Sequence, residues 1–463
     1  MSQPQPRTNS GPPPGARGRP NGGTRVLVGR EAGSASLRTG TGSWLRGRTT
    51  PAKLRLMLAG LLALTVAWGA VGAWSAATHA SAASSVVATD EPLSLDAQRI
   101  YRSLSDADAT QAAAFLYGGL EPFSVRDRYL ADISQAARNL EAATAAAGTR
   151  AASSRLTILA AELPVYSGLI ETARADNRIG YPLGAAYLRE ASGLMRAKLL
   201  PAARDLYAQE NAQLASAHRQ ATAVPYPALV VVLLAVLGLV FSQVWLARRS
   251  RRLINPGLLL GSAAGLTALV WLASAQIVAA SHLISAKDLG SEPVQALATA
   301  EIAALQAHAD ESLTLIDRSG DDSFQQDFLA LQASLGPGRG TLLTAAATAA
   351  SGSPGAQLAV AAARGAHAWY ASHREVRRLD DGGSYAAAVQ RAIGPGASDS
   401  GELFGGLDGH LTAAISADQA FFRSAATAGR SDLAGLEVGM IALALVMAAG
   451  CSWGISRRLV EYR

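Results

Sequence analysis

The chain has 463 residues, of which 49% are hydrophobic and only 16% are charged. A mean hydropathy of +0.16 is too apolar for an ordinary soluble protein of this length, so membrane spans are expected. The single cysteine, Cys451, excludes an intrachain disulfide and a zinc site built from several cysteines. The formal net charge of +6 raises the question of nucleic-acid binding, which the placement of the charges answers below.

The N-terminal segment, residues 1–53, is rich in Pro, Gly and Arg. This composition predicts a disordered basic tail. A kinase or scaffold protein is one possible binder of such a tail. We favour a solvated basic anchor beside anionic lipid, because scattered arginines are attracted to a negative membrane surface.

Four apolar stretches are long enough to cross a bilayer, which takes about 20 residues in a helix. With their flanks they predict transmembrane helices at residues 54–79, 226–247, 256–281 and 433–456. A cleaved signal peptide is an alternative for the first, because small residues follow its apolar run. That run of 23 residues exceeds the roughly 7 to 15 of a signal peptide, which favours an uncleaved anchor.

The basic residues are concentrated in three segments, which precede the first span, join the second to the third and follow the fourth. These segments hold 17 Lys or Arg against two acids, whereas the rest of the chain holds 24 basic and 33 acidic residues. The positive-inside rule therefore predicts a cytoplasmic loop at residues 248–255, a cytoplasmic tail at 457–463 and two external regions at 80–225 and 282–432. Both termini are expected in the cytoplasm, and no nucleic-acid partner is expected.

The first external region shows a helical period, with apolar residues such as Leu156, Leu159 and Leu163 recurring at steps of three and four. Clusters of Gly and Pro divide it into helices at about 81–117, 124–146, 152–178 and 183–222. An up-down-up-down order of these helices places the turns near Gly118 and Gly180 together at the membrane-distal tip. The turn near Gly148 then lies close to the lipid.

A shift of 202 residues superposes the two halves of the chain. The first span falls on the third, residues 107–110 fall on 309–312, Gly118 falls on Gly320 and Gly180 falls on Gly382. The fold class predicted is therefore all-α, with four transmembrane helices and two external antiparallel four-helix bundles related by an internal duplication. We expect shorter second and third helices in the second bundle, because residues 335–354 are rich in Gly, Ala, Ser and Thr.

The sequence contains no phosphate-binding loop, zinc motif, nucleophile elbow or kinase signature. His367 and His373 are six residues apart, which does not place them on one helix face as a metal pair. Asp106 and Asp108 do not share a face either and are interpreted as solvated surface. We therefore expect no enzyme activity, no cofactor, no metal site and no catalytic residue.

The densest polar cluster lies at residues 174–182, which the topology places at the distal tip. Arginine forms bidentate hydrogen bonds with carboxylates, and tyrosine supplies a rigid contact surface. This cluster therefore suits a protein or carboxylate ligand. An ordinary solvated hairpin with internal ion pairs is the alternative. The candidate partner-binding residues are Glu121, Arg126, Arg174, Asp176, Asn177, Arg178 and Tyr181.

The predicted external bundles resemble the four-helix-bundle sensor domains of chemoreceptors and sensor kinases. Those proteins form dimers, whereas here a single chain supplies both bundles and all four spans. The tip cluster and its continuation, residues 184–196, resemble the actinobacterial GlnX-type four-span membrane proteins. That resemblance implies an amino-acid sensing relay. An extracytoplasmic amino-acid-binding protein would be its outer partner and a soluble Ser/Thr kinase its cytoplasmic partner.

The leading hypothesis is a signal-transducing protein of the cell membrane that receives a ligand-loaded binding protein on its helical sensor bundles. The predicted cytoplasmic segments are short, so the signal is expected to pass to a separate cytoplasmic protein such as the kinase. The alternative is a non-catalytic accessory or stalk subunit of a membrane transport or secretion complex.

Overall fold

A computed structural model describes residues 50–147, 153–250, 255–317, 322–336, 338 and 340–460. The described residues form helices and short connections and include no strand, as the all-α prediction requires. Several predicted features lie outside them. These are most of the basic tail, the turn at Gly148, the match at Gly320, residues 251–254 of the loop and residues 461–463.

The first half of the chain forms seven α-helices within its described residues. They are α1 Thr50–Ser85, α2 Glu91–Phe115, α3 Phe123–Ala147, α4 Ser153–Arg178, α5 Leu183–Leu194, α6 Leu200–Thr222 and α7 Tyr226–Ser250. The predicted start at residue 81 lies inside α1, which continues into α2. The other predicted helix ends of the first external region agree with these bounds to within two residues, because Gly and Pro mark the turns in the sequence.

The second half forms eight α-helices within its described residues. They are α8 Pro256–Ala286, α9 Glu292–Ile316, α10 Ser323–Leu335, α11 Leu342–Ala349, α12 Ala356–Asp381, α13 Tyr385–Ile393, α14 Ser400–Asp432 and α15 Leu436–Val460. The expected short second helix is found as the pair α10 and α11. The expected short third helix is wrong, since α12 has 26 residues, as α4 has.

Three pairs of α-helices are joined without a break by single π-helical turns. The π turns are Val86–Asp90 between α1 and α2, Met195–Leu199 between α5 and α6, and Lys287–Ser291 between α8 and α9. A proline follows each turn within the first two residues of the next helix. Proline lacks an N–H and its ring clashes with the carbonyl four residues earlier, and the wider π turn accommodates both effects.

Four helices are long and apolar enough to cross a membrane. They lie within Ala52–Phe115, Leu183–Arg248, Pro256–Ile316 and Ser400–Arg457. Most of the side chains in their apolar windows are not buried inside the protein, as expected for helices that face lipid. The chain is therefore a multi-pass membrane protein.

The spans pack through glycines where two helix backbones approach closely. On α8 and α15, a Cβ added at Gly257 would lie 2.4 Å from the backbone nitrogen of Gly454, and one at Gly450 would lie 2.9 Å from that of Gly261. The side chain of Asn255 caps α8 and donates a hydrogen bond of 2.8 Å to the carbonyl of Gly454. Small residues permit this approach, which gains van der Waals contact in lipid.

Beyond the spans, the two halves pack side by side through α2 and α9. In the first half α2 contacts α3 and α6, and in the second half α9 contacts α10, α11 and α14. Leu313 and Ile316 of α9 belong to the same apolar cluster as Leu104 of α2 and Tyr166 of α4. The hydrophobic period did not predict this shared core, because it reports which face of a helix is buried and not which helix covers it.

We expect Gly450→Leu to destabilise the span bundle, because the new side chain would press on the backbone of α8. Overpacking of this kind costs about 1–3 kcal/mol. The measurement is the midpoint of thermal unfolding in detergent. Gly60→Leu is the matched control, since a Cβ at Gly60 has no atom within 4 Å. Equal midpoints for the two variants would contradict the close approach of α8 and α15.

Candidate functional site

Two glycine-dependent turns form the membrane-distal tip of the first half. Gly118 and Gly119, with φ of 61° and 72°, let the chain leave α2 in the left-handed region. At the end of α4 the amide of Gly180 donates to the carbonyl of Asn177 at 3.1 Å, and that of Tyr181 donates to the carbonyl of Asp176 at 2.9 Å. This pair of hydrogen bonds is the Schellman motif, which turns the chain back into α5.

The two turns enclose a cavity of about 110 Å³ between the ends of α2, α3, α4 and α5. We call it the tip cavity. Its lining comprises Gln111, Ala114, Phe115, Gly119, Leu120, Glu121, Phe123, Arg126, Ile170, Ala173, Arg174, Asn177, Arg178 and Leu188. Most of the deeper residues are apolar and the mouth carries charge, so the cavity has the makeup of a small-molecule site.

Polar contacts hold the wall of the tip cavity. Arg174 forms an ion pair with Glu121, and a second one of 2.6 Å with Glu171 on its own helix. The side-chain amide of Asn177 donates a hydrogen bond of 3.1 Å to the carbonyl of Phe115. The loop after α2 is thereby tied to α4, which keeps the mouth of the cavity in one shape.

A buried carboxylate lies one helical turn below the floor of the cavity. Asp108 accepts hydrogen bonds from Ser192 of α5 at 2.7 Å and from Tyr166 of α4 at 3.4 Å. Burial raises the pKa of Asp108, against the opposing effects of Arg196 and of these hydrogen bonds. The three residues join α2, α4 and α5 directly beneath the layer formed by Gln111, Ile170 and Leu188.

The structure gathers five of the seven predicted site residues around the tip cavity. Glu121, Arg126, Arg174, Asn177 and Arg178 line it. Asp176 and Tyr181 do not line it. Asp176 contributes its carbonyl to the turn, and Tyr181 is 59% exposed beside the mouth.

Gln111 is a residue of the cavity that sequence reasoning missed. Its side chain is only 2% exposed and lines the cavity from the last two turns of α2. No signal in the sequence marks it, because a glutamine inside a helix is ordinarily a surface residue.

A charge cluster whose acids are buried joins the two halves below the tip. Its members are Arg102, Asp106, Arg128, Asp132, Glu301 and Asp408, from α2, α3, α9 and α14. Arg102 lies 3.0 Å from Glu301 and 3.5 Å from Asp408, both in the second half. Arg128 lies 2.8 Å from Asp106 and 3.1 Å from Asp408. Two arginines face four acids, so the cluster is rich in carboxylate.

The interpretation of Asp106 and Asp108 as solvated surface is wrong. Their exposed fractions are 3% and 4%. They point to different sides of α2, but α3, α6 and α9 cover this helix on several sides, so both directions lead into the protein. Each carboxylate has hydrogen-bonding or charged partners, as burial of a charge requires.

The second half contains a comparable buried carboxylate, Glu311 of α9. It accepts hydrogen bonds from Ser400 at 2.6 Å and from Trp369 at 3.3 Å, and His373 lies 3.0 Å from it. Although burial opposes it, the hydrogen bonds from His308 and His373 hold the pKa of Glu311 well below its usual range. Among the described residues no cluster of His, Cys, Asp and Glu has the arrangement of a metal site.

The comparisons with known proteins bear on the first half. The profile of the family described as Actinobacterial sensor domain matches residues 82–219, a range that includes every residue of the tip cavity. This match and the four apolar helices fit a sensor protein of a membrane. No curated protein and no solved structure matches the chain.

The excess of carboxylates in the charge cluster predicts a pH-dependent stability. Burial, together with the neighbouring charge of Asp106, raises the pKa of Asp132 to about 8, although Arg128 and Arg102 oppose the shift. An aspartate in an unfolded chain has a pKa of about 3.9. The stability that protonated Asp132 provides is therefore lost as the pH rises from about 4 to about 8.

Asp132→Asn removes the titrating carboxyl and with it the loss of stability at higher pH. The variant should therefore gain stability relative to the wild type as the pH rises from about 4 to about 8. One pKa unit corresponds to about 1.4 kcal/mol, so the gain between pH 5 and pH 8 should exceed about 1 kcal/mol. Thermal unfolding at the two pH values measures it. Asp205→Asn, at a half-exposed side chain of α6, is the control and should show no such trend. A pH-independent difference for Asp132→Asn would refute the burial of an excess carboxylate.

Proposed function

We propose that this protein is a signal-transducing membrane protein whose distal tip captures a partner protein. The observation that carries the proposal is an apolar patch around the mouth of the tip cavity. It consists of Leu120, Phe123, Ile179, Tyr181 and Leu183, with exposed fractions of 76%, 87%, 66%, 59% and 62%. We call these five residues the tip surface.

The tip surface is at the end of the helices opposite to the spans, so lipid does not account for its exposure. Large apolar side chains rimmed by polar ones are typical of sites that bind another protein. Arg126 and Arg178 supply the polar rim. Aromatic residues and arginine are also the types enriched at the centres of protein interfaces.

The partner we propose is an extracytoplasmic amino-acid-binding protein in its ligand-loaded form. The resemblance of residues 174–196 to GlnX-type proteins supports it, and the sensor-domain match covers the same segment. The placement of the basic residues supports an orientation with both termini in the cytoplasm and the tip outside. A separate Ser/Thr kinase is the proposed cytoplasmic receiver, and the chain itself is proposed to have no enzyme activity.

We further propose that the two halves are duplicated four-helix bundles. The π turns Val86–Asp90 and Lys287–Ser291 begin 201 residues apart, and α4 and α12 begin 203 residues apart. Both of the latter helices end in a Schellman turn, at Gly180 and at Gly383. The helix order, the irregular turns and the helix ends thus recur in the second half at offsets that differ by at most a few residues. This recurrence supports a common origin of the two halves.

The continuous helices provide a path for the signal. α2 carries one wall of the tip cavity and continues through a π turn into the span of α1. Displacements of about 1–2 Å between packed helices are a known means of transmitting a conformational change. Partner binding that moves α2 would therefore move α1 and the cytoplasmic ends of the helices packed against it.

We expect Phe123→Asp to reduce partner capture by roughly tenfold or more, because a charge at the centre of an apolar contact must be desolvated on binding. The measurement is the amount of solute-binding protein that copurifies after mild crosslinking in native membranes. Leu329→Asp, at a 49% exposed leucine of α10, is the matched control and should leave capture unchanged.

Undiminished capture by Phe123→Asp would show that the tip surface is not the docking site. Copurification of transporter or secretion subunits, with no solute-binding protein, would favour the accessory or stalk function instead. Recovery of a Ser/Thr kinase in the same preparation supports the relay to the cytoplasm.

The proposed orientation predicts the labelling of introduced cysteines. A membrane-impermeant maleimide should label Phe123→Cys in intact cells and Arg457→Cys only after permeabilisation. The native Cys451 is buried among the spans, so it should contribute little background. The reverse pattern would place the tip in the cytoplasm and exclude an extracytoplasmic partner.

A further inference from the structure

The tip cavity contains a buried hydrogen-bond donor that lacks an acceptor. The Nε2 atom of Gln111 has no hydrogen-bond partner among the described residues, although the side chain is 98% buried and lines the cavity. A buried amide donor that is left unpaired destabilises the folded state. Since Gln111 lines the cavity, a ligand that reaches its amide would supply the missing acceptor.

The cavity also carries a positive charge that forms no ion pair with the acids that the structure describes. Arg174 is paired with Glu121 and Glu171, whereas Arg126 forms no ion pair with the described residues. An anion therefore suits the cavity better than a cation or a neutral molecule. The guanidinium of Arg126 and the amide of Gln111 line the same cavity, and both groups donate the N–H hydrogen bonds that a carboxylate accepts.

The rest of the cavity wall is apolar, so it favours a ligand whose carboxylate is attached to a hydrocarbon group. Phe115, Ile170 and Leu188 line the cavity, and the last two are at most 2% exposed. With a volume of about 110 Å³, the cavity is large enough to hold several water molecules. A short branched aliphatic chain can displace such waters and gains stability from leaving water.

We propose that the tip cavity binds a small aliphatic carboxylate, with its carboxylate on Arg126 and Gln111 and its hydrocarbon against Phe115, Ile170 and Leu188. The class includes free short-chain acids and the α-amino acids of the same skeleton. The binding deepens the proposed sensing function and rests on it, because ligand at the tip would alter the surface offered to the partner.

The layer beneath the cavity gives the ligand a route to the helices. Gln111 is three residues from Asp108 on α2, Ile170 is four from Tyr166 on α4, and Leu188 is four from Ser192 on α5. Each residue of the floor is therefore one helical turn from a member of the buried hydrogen-bonded group. A ligand that draws Gln111 toward it would move α2 against α4 and α5.

The test uses three probes of nearly equal shape on the full-length protein in detergent. Isovalerate has the carboxylate and the branched chain, isovaleramide has the same skeleton without charge, and L-valine adds an α-amino group. Isothermal titration up to millimolar concentration measures the affinity of each. Binding of isovalerate or L-valine with no binding of isovaleramide supports the proposal and tells the free acid from the amino acid. Equal binding of all three, or of none, would overturn it.

Two variants assign the contacts. Arg126→Gln should weaken binding of the carboxylate by roughly tenfold or more, because it removes a charge-assisted hydrogen bond. Gln111→Leu, nearly equal in volume, should weaken it as well while retaining the thermal stability of the wild type. Arg138→Gln, at another arginine of α3, is the control and should bind normally. Unchanged affinity in Arg126→Gln would refute the proposed site, even if Gln111→Leu failed to fold.

The two proposals fail separately. If no probe binds but Phe123→Asp still abolishes partner capture, the carboxylate site is refuted and the docking function stands. If a carboxylate binds but the tip surface captures no protein, the docking function is refuted and the cavity is a direct receptor for its ligand.

Discussion

Arg102 connects the two halves of this protein, because its guanidinium is shared by acids of both. It contacts Asp106 on its own helix and Glu301 and Asp408 in the second half. Breaking a buried ion pair by removing one partner leaves an uncompensated charge and costs about 3–5 kcal/mol. α2 and α9 are therefore held side by side, and neither helix can shift far unless the cluster rearranges.

This constraint limits how a signal could travel. α2 carries Gln111 at the tip cavity, Arg102 at the charge cluster and, beyond a π turn, the span of α1. Its neighbour α9 continues through the corresponding π turn into α8, which is locked to α15 by close glycine contacts. A displacement of α2 is thus opposed by the second half, and the π turns, frequent at functional sites, are the irregular points where the two long helices can bend.

The sequence predicted the helices well and the contacts between them poorly. Gly118 and Gly180 mark turns that need a left-handed residue, and the apolar spans are recognisable from their length. In α2, however, ten consecutive residues from 103 to 112 are buried. A helix enclosed by neighbours on several sides has no solvent face, so a period of 3.6 residues cannot distinguish a buried Asp108 from a surface aspartate. Gln111 was missed for the same reason, because its burial leaves no pattern in the sequence. The arginines at the tip were found because they cluster in the sequence.

A comparison of the two proposed bundles explains why the first should be the receiving one. At the offset of 203 residues that relates the start of α4 to that of α12, Tyr166 corresponds to Trp369 and Ile170 to His373. In the first half Ile170 leaves space above the buried carboxylate, which is the tip cavity. In the second half His373 stacks on Phe328 at 3.5 Å between ring centroids and bonds Glu311, so this layer is filled by side chains of the protein. In the proposed relay, the second half would therefore be the fixed support and the first half the part that moves.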